Sequence, residues 1–403
     1  MRASPYPRMM RVADLLAPVP LERFESEFFG RQPLHIPAGG SLGKIPLDWE
    51  RMNAMLGSRS HWTEANLKLI LNSRPVQPDF YIEPVETLDG PARRADPSKV
   101  SVFLAMGASL VANSLEDISP DVRAISDCLS DHFSARAGAN AYCSFEAIQA
   151  FASHCDLHEV FAIQCEGEKV WRIYRNRAAA PVEPLAGDDA QALIDRVKGP
   201  VLMEVRMRPG DLLYIPRGFY HDALATDGPS LHVTFAVAPL TGRFIFRLLE
   251  DLAIEDVAFR NYLPDARSAA GDVLADHLAQ LAERVSALMR SSRFAVEIGE
   301  KQRRLVERTS RLQLPQRQPL TFYARTSKAA DAELGQEGLV LNCAGQEIVF
   351  GWLSGAVEWM LDRRGFSIQE LEAVYQHVDR TALHGAVEKL ERLDLVRPYA
   401  PKL

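Results

Sequence analysis

Residues 153–174 read SHCDLHEVFAIQCEGEKVWRIY and place a His-x-Asp pair just before an apolar run. Side chains two positions apart on a strand point to the same face, roughly 7 Å apart along the backbone. His154 and Asp156 could therefore present an imidazole and a carboxylate to one cavity. Two histidines and one carboxylate on one face of a ferrous ion, with its other positions open, form a centre that activates oxygen. The pair supplies two of these three ligands.

The third ligand must come from elsewhere in the chain. His221, in PRGFYHDAL (216–224), is one candidate because it follows a Pro-Arg-Gly turn at the end of the apolar segment DLLYIP (211–216). His158 is a rival, since it would share a face with His154 in an ideal strand. A His-x-Asp pair alone is weak evidence for a metal site. Its combination with a distant histidine and intervening strands makes the prediction stronger.

Lys169 begins the segment KVWRIY (169–174), where it alternates with Trp171 and Ile173 on one face. A lysine at a turn is ordinarily solvated, and burying one requires a counter-anion. If this face is interior, a dianionic cosubstrate such as 2-oxoglutarate supplies that anion. Its far carboxylate would meet the ammonium while its keto-acid end binds the iron.

Polar residues of two further segments could complete the pocket. Asn140 and Tyr142 alternate on the segment that leads into the site and could add hydrogen bonds. In SLHVTFAV (230–237), His232 and Thr234 share one face and the apolar residues share the other. This pattern is typical of a strand that lines a polar pocket and packs its back on helices.

Short apolar or alternating segments between about 140 and 240 carry these residues. They are VFAIQ (160–164), KVWRIY (169–174), VLMEVRM (201–207), DLLYIP (211–216) and SLHVTFAV (230–237). Closely spaced short strands separated by turns predict a sandwich, barrel or jelly roll. A jelly roll brings distant strand ends together at one mouth.

Residues 241–300 are predicted to be helical. Apolar residues recur there at spacings of three and four, at Leu274, Leu278, Leu281, Val285 and Leu288. This seam indicates either a helix packed on its own domain or a dimer interface.

The last segment, about 312–403, contains a capping box formed by Ser367 and Glu370. A second helix is predicted after Asp379, with Leu383, Val387 and Leu390 buried. These features predict a small helix-turn-helix or winged-helix domain. Because the second helix mixes acidic with basic residues, we expect it to pack or to bind a partner rather than to read DNA.

Composition limits the class of protein. The 403 residues are 47% hydrophobic and 25% charged, with a net charge of -7, which indicates two or three globular domains and no general affinity for nucleic-acid backbones. Five scattered cysteines without a C-x-x-C pair suit reduced thiols. Neither a signal peptide nor an apolar stretch of roughly 20 residues is evident. We expect a cytoplasmic protein with no membrane association.

Residues 140–174 and 208–237 resemble the JmjC-domain ribosomal oxygenases, which are Fe(II)- and 2-oxoglutarate-dependent protein hydroxylases of the cupin superfamily. The resemblance implies an α+β fold with a mainly β core. A double-stranded β-helix (jelly roll, JmjC type) with an N-terminal extension would span 1–240. A helical dimerisation region would follow at 241–305, and a winged-helix-like domain at 306–403.

The resemblance also implies roles for the candidate residues. The metal ligands would be His154, Asp156 and His221, the cosubstrate carboxylate would bind Lys169, and Asn140, Tyr142, His232 and Thr234 would lie near the cosubstrate. It implies a homodimer whose substrate is a protein or peptide. The hydroxylated side chain would be a histidine or an arginine, for example in a ribosomal protein.

The chain departs from the usual family pattern near the site. Phe145 and Ala150 replace a proline and a glycine, Cys155 stands where an aromatic is common, and His158 replaces an apolar residue. None of these changes removes a ligand, so activity is expected, but they alter the pocket walls. Three alternatives therefore stay open: a biosynthetic hydroxylase of a precursor peptide or small molecule, a demethylase of methylated lysine, and a non-catalytic cupin-like binding module.

Overall fold

The computed structural model describes residues 10–38, 45–58, 60–145, 152–185, 187, 189–225, 228–267, 271–307, 321–335, 338–343 and 345–399. Ala150, one of the departures noted above, lies outside the described residues. The chain divides into two compact units, 1–309 and 310–403. The finer division at 240/241 stays a prediction.

The first unit is built on antiparallel strands. In chain order they are β1 (Leu34–Ile36), β2 (Leu67–Leu71), β3 (Arg74–Pro75), β4 (Ile82–Thr87), β5 (Gly90–Ala95), β6 (Ser109–Ala112), β7 (Ala135–Ser144), β8 (Glu159–Glu166), β9 (Lys169–Arg177), β10 (Val201–Met207), β11 (Leu212–Ile215), β12 (Phe219–Ala225) and β13 (Ser230–Pro239). The large sheet has the order β1-β11-β8-β13-β7-β6-β2-β3, a second sheet has the order β10-β9-β12, and β4 pairs with β5.

The helices of the first unit precede, connect and follow these strands. They are α1 (Val12–Leu16), α2 (Leu21–Arg23), α3 (Trp49–Leu56), α4 (Pro97–Ala105), α5 (Pro120–Phe133), α6 (Ala190–Val197), α7 (Arg243–Ala253), α8 (Val257–Arg260), α9 (Gly271–Arg290) and α10 (Ser292–Glu307). A π-helical turn spans Phe24–Phe28, and short 3₁₀ turns span Pro78–Phe80 and Leu115–Asp117. Among the helices described, none is both long and apolar enough to cross a membrane.

The two faces of the large sheet differ, because side chains alternate along each strand. On β13, Leu231, Val233 and Phe235 are buried in the main hydrophobic core, which also includes residues of α1 and α5. His232 and Thr234 lie on the opposite face, as predicted. On that face, residues of β8 and β11 pack with residues of β9 and β10. The two sheets therefore face each other, in the arrangement of the predicted jelly roll.

The predicted apolar seam lies on α9. Leu278 is 49% exposed, and the other four seam residues are half-buried. The first unit by itself therefore does not bury this seam fully.

The second unit has its own hydrophobic core. Its strands are β14 (Phe322–Arg325), β15 (Asp331–Gly335), β16 (Gly338–Cys343), β17 (Gln346–Val349), β18 (Gly365–Ser367) and β19 (Val396–Pro398), and its helices are α11 (Ser354–Leu361), α12 (Ile368–Val374) and α13 (Arg380–Arg392). They form two three-stranded sheets, β18-β14-β19 and β15-β16-β17. A 3₁₀ turn spans Gly351–Leu353.

The helix starts predicted in this unit are confirmed. The Ser367 hydroxyl accepts from the Glu370 N–H over 3.1 Å, and the Glu370 carboxylate accepts from the Ser367 N–H over 3.3 Å. Asp379 caps α13 by accepting from the Ala382 N–H over 3.1 Å. The predicted core residues of α13 are all buried: Leu383, Val387 and Leu390.

Candidate metal and cosubstrate site

The His-x-Asp pair lies outside the strands, in the segment that leads into β8. The prediction that His154 and Asp156 are neighbours on one strand is therefore wrong. Backbone hydrogen bonds to β12 hold His154 instead: its N–H donates to the His221 carbonyl over 3.0 Å, and the His221 N–H donates back over 2.8 Å. The Gly218 N–H donates to the Asp156 carbonyl over 3.0 Å. β12 and the turn before it thus position both residues.

Among the described residues, His154, Asp156 and His221 form a group whose potential ligand atoms all lie within 4.8 Å of one another. His221 Nε2 lies 3.4 Å from an Asp156 carboxylate oxygen. The ring centres of the two histidines are 4.5 Å apart. The group therefore offers two nitrogens and one oxygen within reach of a single ion.

Backbone carbonyls determine which imidazole nitrogen carries the proton. His154 Nδ1 lies 2.9 Å from the Ala152 carbonyl oxygen, and His221 Nδ1 lies 3.0 Å from the Phe219 carbonyl oxygen. Because a carbonyl oxygen only accepts, each Nδ1 is the protonated, donating nitrogen. Each Nε2 then carries the lone pair that can bind a metal, an orientation that metal-binding histidines commonly have.

The electrostatics of the group also suit a cation. Burial acts to raise the pKa of Asp156, but the imidazoles of His221, His154 and His158 hold that pKa below its ordinary value. Burial, together with His154, holds the pKa of His221 well below its usual range. At pH 7 the carboxylate is therefore ionised and His221 is neutral, which are the forms that bind metals.

His158 does not belong to this group. Its Nε2 lies 4.0 Å from the nearer Asp156 oxygen, and its Nδ1 donates to the Glu159 carbonyl over 3.3 Å. The geometry therefore favours His221 over His158 as the third ligand. The Glu159 carboxylate is occupied elsewhere, since it accepts from the Tyr214 hydroxyl.

Lys169, the first residue of β9, is only 4% exposed. Its Nζ lies 3.4 Å from the hydroxyl of Ser144 on β7, and that hydroxyl lies 3.2 Å from the Ser109 hydroxyl. Burial lowers the pKa of Lys169 to about 8, and the described residues place no carboxylate against it that would offset this burial. A buried ammonium in such surroundings is suited to receive an anion from outside the chain.

A row of rings extends from His221 of the three-residue group to His232 and Tyr142. Trp171 stacks on His221 with ring centres 5.9 Å apart and meets His232 edge-on at 5.3 Å. His232 in turn stacks on Tyr142 at 4.8 Å. Burial, with the nearby Lys169, holds the pKa of His232 well below its usual range, so that this imidazole is neutral at pH 7.

Strand register accounts for the remaining candidates. Tyr142 and Asn140 on β7 lie directly opposite His232 and Thr234 on β13. Burial and the charge of Asp156 raise the pKa of Tyr142 to about 12, against a smaller opposing effect of its hydrogen bond with Asn140. Tyr142 therefore lies close enough to the metal-binding group to interact with it. Thr234 is buried and is placed near the site by its register with Asn140.

Two buried polar atoms in this row lack a hydrogen-bond partner among the described residues. They are His232 Nδ1 and Trp171 Nε1. A buried polar atom without a partner costs about 1–3 kcal/mol. Together with the Lys169 ammonium, these atoms offer polar contacts to a small anionic ligand.

Sequence reasoning did not assign three residues that the structure places here. Ser144 contacts Lys169, and the alternation that pointed to Asn140 and Tyr142 could have identified it. Trp171 was recognised only as sharing a strand face with Lys169. Asp222 follows His221 directly and is buried, although an acidic residue in a short strand is ordinarily exposed.

A family model, sequence relatives and solved structures match parts of this chain. Residues 116–243 match the family model described as the JmjC domain. Ribosomal oxygenase 1 of Gallus gallus is 37% identical over 191 residues, which cover 46% of this chain and 31% of the relative. The bifunctional lysine-specific demethylase and histidyl-hydroxylase NO66 of Dictyostelium discoideum is 29% identical over 261 residues, covering 63% of this chain and 49% of the relative. The chain thus spans about a third to a half of the length of these relatives.

Solved structures of Escherichia coli YcfD resemble the chain over most of its length. One has a TM-score of 0.53 at 14% identity and covers 94% of this chain and 98% of that one. Another, the ribosomal oxygenase YcfD in complex with cobalt and succinic acid, has a TM-score of 0.50 at 16% identity, covering 95% and 99%. At these identities the likeness concerns the fold alone, and the predicted α+β fold with a jelly-roll core is confirmed. The sequence matches agree with the resemblance to the JmjC-domain ribosomal oxygenases, and residues 116–243 match the JmjC domain itself.

Proposed function

We propose that this chain is an Fe(II)- and 2-oxoglutarate-dependent oxygenase that hydroxylates a histidine or arginine side chain of a ribosomal protein. The observation that carries this proposal is the group of His154, Asp156 and His221, with a row of rings beside it and the buried Lys169 close to His232 in that row. The sequence relatives support the reaction class, and the name of the Dictyostelium relative, which includes histidyl-hydroxylase, supports a histidine target.

The two histidines and the aspartate would hold the ion. His154 Nε2, His221 Nε2 and an Asp156 carboxylate oxygen would be its protein ligands. When bound, Fe(II) and 2-oxoglutarate supply the oxidative chemistry, in which dioxygen and 2-oxoglutarate give succinate, carbon dioxide and one oxygen atom inserted into a substrate C–H bond.

The other end of the site would hold the cosubstrate. The Lys169 ammonium and the Ser144 hydroxyl would donate to its far carboxylate, which compensates the buried positive charge. Trp171 Nε1 and His232 Nδ1 are polar atoms without a partner among the described residues, and they would meet the polar part of the ligand. The stacked rings of His232 and Tyr142 would exclude water from it.

The experiment is an incubation of the purified chain with Fe(II), 2-oxoglutarate and ribosomes, followed by mass spectrometry of the ribosomal proteins. We expect one ribosomal protein to gain a single oxygen atom, with the modified residue located by fragmentation. Asp156→Ala is the matched inactive control. Succinate formation without any modified ribosomal protein would retain the reaction class and reject the substrate.

Demethylation of methylated lysine is a second candidate for the same site. The Dictyostelium relative is named for both activities, and both use the same oxidative chemistry. Methyl-lysine peptides offered with Fe(II) and 2-oxoglutarate would release formaldehyde in the demethylation reaction. A biosynthetic hydroxylase would leave ribosomes and methyl-lysine peptides unchanged, and a non-catalytic binding module would form no succinate with any of them.

We also propose a cytoplasmic homodimer in which the apolar seam of α9 contributes to the interface. The exposure of Leu278 within this seam supports that assignment. Leu278→Glu should shift the mass measured by light scattering towards that of one chain. An unchanged mass would exclude this seam as the interface.

A further inference from the structure

A second cluster of buried polar side chains lies next to the metal-binding group. Asp222 follows His221 on β12, is 4% exposed, and accepts two hydrogen bonds at one carboxylate oxygen. The donors are the Ser153 hydroxyl at 2.7 Å and the Tyr174 hydroxyl at 2.7 Å. Ser153 directly precedes His154. Each end of the Ser153–Asp222 hydrogen bond is therefore one residue away from a candidate ligand.

This hydrogen bond supplements the backbone bridge between the two ligand-bearing segments. His154 and His221 exchange two backbone hydrogen bonds of 3.0 and 2.8 Å. Because adjacent side chains of an extended segment point to opposite sides, the imidazoles project on one side of this bridge, and Ser153 and Asp222 project on the other. No strand of the described residues contains His154. The two segments are therefore joined by the bridge, the Gly218–Asp156 backbone hydrogen bond and the Ser153–Asp222 bond.

A lysine extends the cluster to α6. Lys198 Nζ donates to the Ser153 hydroxyl over 2.9 Å and to the Asp195 carboxylate over 2.7 Å. It also lies 4.5 Å from the centre of the Tyr174 ring. Gln191, on α6, donates to the Ser153 carbonyl over 3.3 Å. Both the side chain and the backbone of Ser153 are thus fixed by groups outside the metal-binding segment.

The cluster is more polar than packing alone requires. A buried carboxylate has a large desolvation cost, and an apolar side chain of similar volume would often be no less stable. Hydroxyl donors at fixed positions give the carboxylate a single orientation. Such an arrangement is suited to holding two segments in register, because charge-assisted hydrogen bonds are short and directional.

We propose that Asp222 is a positioning residue which, through Ser153 and Tyr174, fixes the separation of His154 and His221 and thereby sets the metal affinity. This inference rests on the metal centre of the proposed function. Groups that orient metal ligands from outside typically change metal affinity by about 10- to 100-fold when removed. The cluster contains none of the three candidate ligands, so its effect would pass through the two segments that it joins.

The test is a Mn(II) titration, with free Mn(II) measured by electron paramagnetic resonance. Ser153→Ala and Tyr174→Phe each remove one donor to Asp222 and retain the carboxylate. We expect each variant to bind Mn(II) about tenfold more weakly, the effect of losing one hydrogen bond to a charged group. The double variant should lose less than the product of the two effects, since both act through one carboxylate.

Two control variants distinguish an effect on the position of the candidate ligands from a general loss of protein stability. Ser126→Ala and Tyr81→Phe remove hydroxyls that are equally buried but donate to the backbone carbonyls of Ala137 and Leu67. We expect these controls to lower the thermal midpoint and to leave the Mn(II) dissociation constant unchanged. If Ser153→Ala and Tyr174→Phe behave in the same way, the positioning role is wrong.

Lys198→Met is the variant to use if Ser153→Ala and Tyr174→Phe do not fold. The Lys198 side chain is 19% exposed, so its replacement should disturb the packing less. It removes the Lys198 donor to Ser153 and should also weaken Mn(II) binding. Unchanged binding in a folded Lys198→Met protein would overturn the inference. A parent protein that binds no Mn(II) would instead contradict the proposed function itself.

Discussion

The two ends of the site differ in whether the ring nitrogens have hydrogen-bond partners among the described residues. At the metal end, the Nδ1 atoms of His154 and His221 donate to backbone carbonyls, and a backbone bridge joins the two residues. At the lysine end, the Lys169 ammonium is buried against a hydroxyl, and His232 Nδ1 and Trp171 Nε1 have no partner among the described residues. Under the proposed function, the chain orients its candidate metal ligands by itself, whereas a bound ligand would complete the lysine end.

Removal of a metal ligand should have the largest effect. Asp156→Ala deletes the anionic member of the group, and we expect Mn(II) affinity to fall by more than about 100-fold, since groups outside the ligand set already contribute about 10- to 100-fold. Titration calorimetry measures the change. The matched control is His158→Ala. In the parent protein His158 Nε2 lies 4.0 Å from an Asp156 carboxylate oxygen, but His158 does not belong to the three-residue group. Equal losses in both variants would mean that His158 is also a ligand.

Lys169→Met tests the lysine end separately. It should weaken 2-oxoglutarate binding by about 10- to 100-fold, through loss of a charge-assisted hydrogen bond, and leave Mn(II) affinity unchanged. The variant without ligand should also melt at a higher temperature, because a buried ammonium without a counter-anion is unfavourable. Lys99→Met, at an exposed ion pair with Glu83, serves as the control for charge removal. A lower melting temperature would show that Lys169 is already compensated within the chain.

The pH dependence of 2-oxoglutarate binding gives a smaller effect. Burial lowers the pKa of Lys169 to about 8, and the dianion requires the protonated lysine. The binding constant should therefore be level below pH 8 and fall by about tenfold per pH unit above it. Lys169→Met should remove this dependence, and a parent profile that stays level above pH 8 would exclude the lysine as the anion partner.

Deprotonation of Lys169 should weaken 2-oxoglutarate binding but increase the stability of the folded protein without ligand. In the unfolded chain Lys169 keeps its proton up to its ordinary pKa, so between pH 8 and that value the unfolded state binds more protons than the folded state. The contribution of Lys169 to the stability of the ligand-free protein should therefore increase with pH across this window. Urea denaturation of the parent and of Lys169→Met at several pH values measures this contribution.

Trp171→Phe should give the smallest change, and it tests whether the two ends are coupled. The variant keeps an aromatic ring next to His221 and His232 but removes the indole N–H. We expect 2-oxoglutarate affinity to fall about fivefold, as for one neutral hydrogen bond, with little change in Mn(II) affinity. A larger change for Mn(II) than for 2-oxoglutarate would show that the ring supports His221 rather than the cosubstrate.

Sequence reasoning succeeded where local pattern is sufficient. The alternation in SLHVTFAV placed His232 and Thr234 opposite the apolar core residues, and the Ser367–Glu370 spacing predicted a helix start. The five strand segments predicted between 160 and 237 lie close to their observed bounds, whereas β12, the strand that carries His221, was not predicted. These features depend on neighbours within a few positions of the chain, and the sequence specifies such neighbours directly.

Tertiary structure decided the features that depend on distant residues. The same spacing argument put His154 and Asp156 on a strand, whereas their position comes from hydrogen bonds to His221 and Gly218 in another part of the chain. The contact of Ser144 with Lys169 and the burial of Asp222 likewise arise where separate strands meet. The sequence by itself determined which residues could bind a metal and a dianion. Only the tertiary structure determined how far apart these residues lie, because hydrogen bonds between segments far apart in the chain hold them.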